Sequence, residues 1–384
     1  MIFPVHIEQM DADSCYFQQR MDNLHVAESS YSKGSEDSSD YPVRLNFQTN
    51  YTCNARCIMC PYERPFNGAP VMNIGIFDKI ADECFPYLSE ISTTDMGEPL
   101  MLPWFRHLCD KLTEYELFAD VVTNGSLIDE TFANLLVRNA YDIKVSYDGI
   151  TADMFESIRK HCPKDRVDRG LDMLIAERDR IKPVQDPTVT IQTSLLKRNI
   201  HQLPDIVQNA SDIGADRVKA YYVISYSKDV DEEVLAGDDE MYLQYVDDAR
   251  DIARRCGIVF EVAESTSAAI EVERVRCTTA WYQAWVDYDG MVYPCHSHEG
   301  YSVGNINETV RHIWNSDRYH RIRKASSEYV RGTPCHLCGM LYSQKMENTK
   351  APYDRDNFLS TNSLDRCGDG VRWSNRSRLF DKTL

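Results

Sequence analysis

Apolar and polar residues alternate strictly through Val43-Arg44-Leu45-Asn46-Phe47-Gln48-Thr49, the period of a half-buried strand. A helix is predicted over about 73–87, then a strand over 90–95 that runs into Met96-Gly97-Glu98-Pro99. The pattern repeats with a helix over 104–115, a strand over 119–123, a helix over 129–138 and a strand over 142–147. Further strands are expected over 188–194 and 217–223, separated by a helix over 200–213. Strand-helix repeats of this kind predict an α/β fold around a parallel sheet, with functional residues at the strand C-termini.

Outside this region the pattern changes. Residues 1–41 are polar and broken, most clearly over 29–40, and are expected to form a flexible arm. Residues 42–235 hold the strand-helix repeats, 236–270 a linker helix and strand, 271–345 a small cysteine-bearing domain and 346–384 a C-terminal tail. The acidic stretch over 229–248 reads as a solvated loop and helix face, with a patch that attracts amines as the sharper alternative.

The 384 residues, 43% apolar, suffice for one sizeable core and a smaller domain. No signal peptide or membrane span is legible, so a cytoplasmic location is expected. Thirteen cysteines then point to metal ligands and buried thiols rather than disulfides. The net charge of −18 opposes nucleic-acid binding and suits a small, cationic substrate.

Cys53, Cys57 and Cys60 follow one another at spacings of four and three. Such a loop can turn three thiolates toward three irons of a cubane cluster and leave the fourth iron open. A zinc knuckle is the alternative, although zinc sites usually pair two C-x2-C units. The CxxxCxxC pattern resembles the radical S-adenosylmethionine (radical SAM) enzymes. The resemblance implies that the open iron chelates the methionine part of SAM, which is cleaved to a 5'-deoxyadenosyl radical. It also implies a partial (β/α)6 TIM-like barrel, matched here by six strand-helix units from Val43 to about Ser225. By resemblance Gly97, Glu98 and Pro99 bind the methionine ammonium, while Asn124 and Ser146 line its ribose and carboxylate side, with Tyr62 beside the loop. Asn124-Gly125 and Asp148-Gly149 are also common turn dipeptides, and Ser146 can be read as an ordinary strand residue. Gln192 and Tyr222 lie where substrate contacts are expected, and either could equally be a packed barrel residue.

A second cysteine set follows. Cys277 and Cys295 flank a hairpin turned at Asp289-Gly290, and Cys335 and Cys338 supply a C-x2-C pair. Four thiolates suffice for a second, fully ligated cluster, and a four-thiolate zinc site is the alternative. The pattern resembles the auxiliary-cluster extension of radical SAM enzymes. Further cysteines of its longer form, called SPASM, are missing apart from Cys367, so the shorter "twitch" form is expected. His296 and His298 beside this set are candidate proton acceptors. Cys84 and Cys109 fit apolar helix faces, and one of the unassigned cysteines could donate a hydrogen atom.

The resemblance thus implies two [4Fe-4S] clusters, SAM and an electron donor such as flavodoxin or ferredoxin. The architecture looks like that of the dehydrogenases of aminoglycoside biosynthesis, so the leading expectation is oxidation of an alcohol carbon on an aminocyclitol or amino sugar. A maturase of a ribosomally made peptide and a sugar epimerase with a cysteine hydrogen donor are the rivals, and a zinc protein without catalysis is the alternative from another class.

Overall fold

Strand β1 (Arg44–Phe47) sits inside a ten-stranded sheet rather than at its edge. The computed structural model describes residues 12–60, 68–183, 186–223, 228–235, 240–262, 276–295, 302–328 and Cys335. To one side of β1 run β2 (Glu90–Ser92), β3 (Ala119–Thr123), β4 (Ala140–Ser146), β5 (Thr188–Leu195), β6 (Arg217–Tyr222) and β7 (Val259–Val262), all parallel. To the other side lies β8 (Gln283–Val286), also parallel, followed by the antiparallel β9 (Met291–Tyr293) and β10 (Gly304–Asn305). The fold is mixed α/β around a parallel sheet, as the alternating pattern predicts.

The connecting helices carry the apolar stripe that such a sheet needs on its outer face. In α2 (Ile74–Cys84), Phe77, Ile80, Ala81 and Cys84 recur at helical spacing and are buried. Asn73 caps this helix by accepting the Gly75 N–H at 2.8 Å. Helices α3 (Phe105–Glu114) and α4 (Glu130–Asn139) repeat the arrangement, with Asp129 capping α4. Cys84 and Cys109 are core residues in this layer, both essentially inaccessible.

The inner face is polar. Arg44 of β1 reaches Glu90 of β2 at 3.1 Å and Asp120 of β3 at 2.9 Å, and Lys144 of β4 reaches Asp120 at 2.6 Å. Burial alone would keep the Asp120 carboxyl protonated, but Lys144 and Arg44 outweigh it and hold the group below its ordinary range. Side chains that bridge alternate strands in this way line the inside of a curved sheet.

Three sequence expectations are corrected. Residues 17–33 are not part of a loose arm but form helix α1 (Phe17–Lys33), whose buried Arg20 donates to the carbonyls of Phe85, Tyr115 and Glu116. Its stripe of Leu24 and Ala27 is narrow and its sequence polar, so periodicity hid it. Helices α5 (Ala152–Ile158) and α6 (Lys164–Ile181) occupy a stretch where no element was predicted, because charged residues dilute the buried Val167, Leu171 and Leu174 of α6. The third correction concerns the cysteine-bearing domain, whose first strand β8 continues the barrel sheet beside β1 instead of standing apart.

Helix α7 (Leu203–Asp212) packs on α8 (Glu240–Cys256), and the short α9 (Val310–Trp314) and α10 (Asp317–Glu328) close the far end around the buried Trp281, Trp314 and Tyr319. Among the described residues no helix is long and apolar enough to cross a membrane.

Candidate active site at the strand ends

The chain leaves β1 through Gln48 and enters the cysteine loop. Gln48 hydrogen-bonds the Asn50 carbonyl at 2.7 Å and accepts the Met96 N–H at 2.7 Å. Thr49 Oγ1 donates to the Thr93 carbonyl at 2.8 Å, and the Glu98 N–H donates to the Thr52 carbonyl at 2.8 Å. The ends of β1 and β2 are therefore laced together before the first cysteine. Gly97 is required here: its φ is +113°, and a Cβ would stand 2.5 Å from the Asn50 carbonyl oxygen.

The resemblance implies ammonium binding for Glu98, but its side chain is turned into the protein. One carboxylate oxygen accepts Thr123 Oγ1 at 2.6 Å and the other the Asn124 N–H at 2.7 Å. Burial raises the titration of Glu98, and these hydrogen bonds pull it back only in part. Asn124 in turn donates from Nδ2 to Asn54 Oδ1 at 2.8 Å and accepts Ser126 Oγ at 2.7 Å. Asn54 donates to the same Ser126 hydroxyl at 2.9 Å. The amide of Asn124 is thus committed to fastening the cysteine loop onto the β3 turn. Gly170 of α6 lets that turn approach, since a Cβ there would meet the Gly125 carbonyl at 2.5 Å.

Within the loop, Cys53 is buried and Cys57 and Cys60 are half-buried. Arg56 Nη1 donates to the Cys53 and Ala55 carbonyls at 2.8 and 2.7 Å. Residues Arg56–Cys57 pair antiparallel with Arg159–Lys160, setting Cys57 opposite Arg159. Burial pushes the Cys57 thiol up to about 11, opposed by the Arg159 cation and reinforced by Asp148, Cys60 and Cys53. Among the described residues no three Cys, His, Asp or Glu side chains converge on one point closely enough for a single ion. Three thiols that would serve three different irons of a cluster need no such convergence, and the donor set fits that group.

Ser146 and Gln192 are register partners at the inner face of β4 and β5. Tyr222 is not on that face. Tyr221 is the inner residue, near Lys144, Asp120, Glu261 and Asp142, whereas Tyr222 packs at a tilt against Tyr242 of α8. Of the two readings open for Tyr222, substrate contact or packed barrel residue, its position fits the second, since a shift of one residue in strand phase exchanges the two faces. Asn54 and Arg159 were missed, since no local pattern marks them. Asp148 was legible as part of the Ser-x-Asp-Gly strand end and as half of a turn dipeptide, but its pairing with Arg159 was not.

The auxiliary set begins at Cys277, beside Arg276, whose guanidinium lies against the rings of Tyr31 of α1 and Trp281. Cys277 and Cys295 are half-buried and Cys335 is buried. Asp287, at the end of β8, accepts Tyr51 Oη at 3.1 Å and so joins this domain to the cysteine loop. Tyr62, His296, His298, Cys338 and Cys367 lie outside the described residues. Of the unassigned thiols, Cys162 is buried against the Asn124 carbonyl at 3.9 Å.

Comparison with known proteins matches one span of the chain to a known domain. The SPASM iron-sulfur cluster-binding domain matches residues 277–339, a span that includes Cys277, Cys295, Cys335 and Cys338. The antilisterial bacteriocin subtilosin biosynthesis protein AlbA of Bacillus subtilis is 22% identical over 353 residues, covering 87% of this chain and 75% of its own. The mycofactocin maturase MftC of Mycobacterium tuberculosis is 28% identical over 181 residues, 47% of this chain and 44% of its own. Among solved structures, Streptococcus suis SuiB bound to S-adenosylmethionine superposes with a TM-score of 0.62 at 16% identity, covering 87% of this chain and 81% of its own. These likenesses support a radical SAM enzyme with a SPASM-type domain, whose cofactors are SAM and iron–sulfur clusters.

Proposed function

We propose that this chain uses radical SAM chemistry to modify a carbon centre of a peptide. The observation that carries the reading is the Cys53-Cys57-Cys60 loop, laced to the Gly97-Glu98-Pro99 turn at the mouth of a parallel sheet and followed in sequence by a matched iron–sulfur domain. The relatives favour a peptide over the aminocyclitol alcohol expected from the sequence. They include, by name, a bacteriocin biosynthesis protein and a PqqA peptide cyclase, and SuiB has been solved with its precursor peptide SuiA.

Bound together, SAM and a [4Fe-4S] cluster supply hydrogen-atom abstraction from an unreactive C–H bond. The chain's own part is placement. Cys53, Cys57 and Cys60 would hold that cluster, and the backbone of Gly97 and Glu98 lies against the loop where the methionine end of SAM would dock. Ser146, Gln192 and Tyr221 face the space where a substrate carbon has to be held close while water is kept out. Cys277, Cys295, Cys335 and Cys338 would hold the second cluster, with a ferredoxin or flavodoxin as external electron donor.

Oxidation of an aminocyclitol or amino-sugar alcohol is the second reading, favoured by the net charge of −18. Anaerobically reconstituted protein should contain about eight irons, as two four-iron clusters imply. It should also form 5'-deoxyadenosine from SAM on reduction. Mass spectrometry with a candidate precursor peptide and with aminocyclitols then decides the substrate. No 5'-deoxyadenosine from iron-loaded protein would sink both readings.

A further inference from the structure

We propose that Arg159 is a positioning residue for Cys57, and that its cation raises the reduction potential of the iron–sulfur cluster which the cysteine loop would hold. The inference rests on the reading of that loop given above. It adds a residue that no motif marks and that the reaction scheme does not otherwise use.

The placement is built from three directions. Cys57 and Arg159 are opposite each other in the two-residue ribbon, and the Ile58 N–H continues it by donating to the Ile158 carbonyl at 2.9 Å. The guanidinium Nη1 lies 3.6 Å from the Cys57 sulfur, within the reach of an N–H···S hydrogen bond. Its Nε edge is held by Asp148, with Nε 2.6 Å from Oδ2.

Asp148 is itself immobile. It is fully buried, its Oδ1 accepts the Ser194 N–H at 2.7 Å, and its carbonyl accepts Asn199 Nδ2 at 3.0 Å. Turning the guanidinium away from Cys57 would leave a buried carboxylate without its cation, which is strongly unfavourable. The anion therefore keeps the cation beside the sulfur through a buried ion pair.

A cluster gains one negative charge on reduction, so a fixed cation and an N–H donor at one of its sulfurs stabilise the reduced form. Coulomb interactions are strong in so enclosed a place, because few water dipoles remain to screen them. Arg159 is thus suited to make the cluster easier to reduce by the external donor.

The test is a redox titration of the reconstituted full chain without SAM, followed by electron paramagnetic resonance, for the parent protein, Arg159→Gln and Arg159→Lys. The loop's signal is the one that Cys57→Ala abolishes. At the parent midpoint, Arg159→Gln should lower the reduced-to-oxidised ratio about tenfold, equivalent to about 59 mV for one electron. Arg159→Lys, which keeps the charge but not the fork, should lower it less, and the second cluster's signal should stay in place. An unchanged midpoint in Arg159→Gln carrying parent iron content would overturn the proposal; if that variant fails to load iron, Arg159→Met, which also removes the cation, decides on the same criterion. A parent protein with no signal that Cys57→Ala removes would instead overturn the reading of the loop.

Discussion

The buried carboxylate of Glu98 accepts the backbone N–H of Asn124 at 2.7 Å, joining the turns that end β2 and β3. Asn124 then holds Asn54, between the first two loop cysteines, at 2.8 Å. Two turns that resemble cofactor contacts are thereby also the scaffold of the cysteine loop. Glu98→Gln replaces one acceptor with an NH2 group facing the Thr123 hydroxyl or the Asn124 N–H. About 1–3 kcal/mol of stability should be lost, read from urea unfolding, because a buried donor is left unpaired.

Gly97→Ala should damage the loop more directly. The new methyl would press on the Asn50 carbonyl at 2.5 Å while the backbone holds a φ of +113°. A loss of about 1–3 kcal/mol is expected from the strain. Iron bound at the loop, assayed after reconstitution, should fall with it, and parent-like iron content would show that the loop tolerates the shift.

Tyr221 and Tyr222 offer a test of strand phase. If the substrate is held at the inner face as proposed, Tyr221→Phe should lower substrate turnover while 5'-deoxyadenosine still forms, since Tyr221 lies on that face with Lys144 and Asp120. Tyr222→Phe should leave turnover unchanged, because its ring packs on Tyr242 of α8. The opposite pattern would reverse the assignment of faces.

Acid should loosen the inner face. The folded-state pKa of Asp120 lies below its unfolded value of 3.8, so its stabilisation is complete above that value and is lost as pH falls through the folded pKa. Asp120→Asn should flatten this acid limb of a melting-temperature profile. It should also cost about 1–3 kcal/mol at neutral pH, since Arg44 and Lys144 each lose a charged hydrogen-bond partner but keep Glu90 and Asp142.

The two cysteine sets should separate by function. Cys57→Ala should abolish 5'-deoxyadenosine formation, while Cys335→Ala should leave part of it and lose the modified product. Parallel product and 5'-deoxyadenosine assays measure both. Full product formation by Cys335→Ala would remove any role for the second cluster in turnover.

The cysteine spacing, the Gly-Glu-Pro turn and the strand-helix alternation were legible in the sequence, because each is local: a few neighbouring residues state the ligand set, the turn or the period. Side-chain phase was less secure: the sequence left Tyr222 open between the inner face and the packed one, since a shift of one residue reverses a strand's faces without altering its composition. Helix α1 was hidden by polar residues that satisfy distant carbonyls, as Arg20 does for Phe85, Tyr115 and Glu116. The place of β8 beside β1, and of Arg159 against Cys57 102 residues earlier, was decided by tertiary structure alone. Those contacts join segments far apart in the chain, and their energy comes from burial and charge pairing that exist only after the chain has closed on itself.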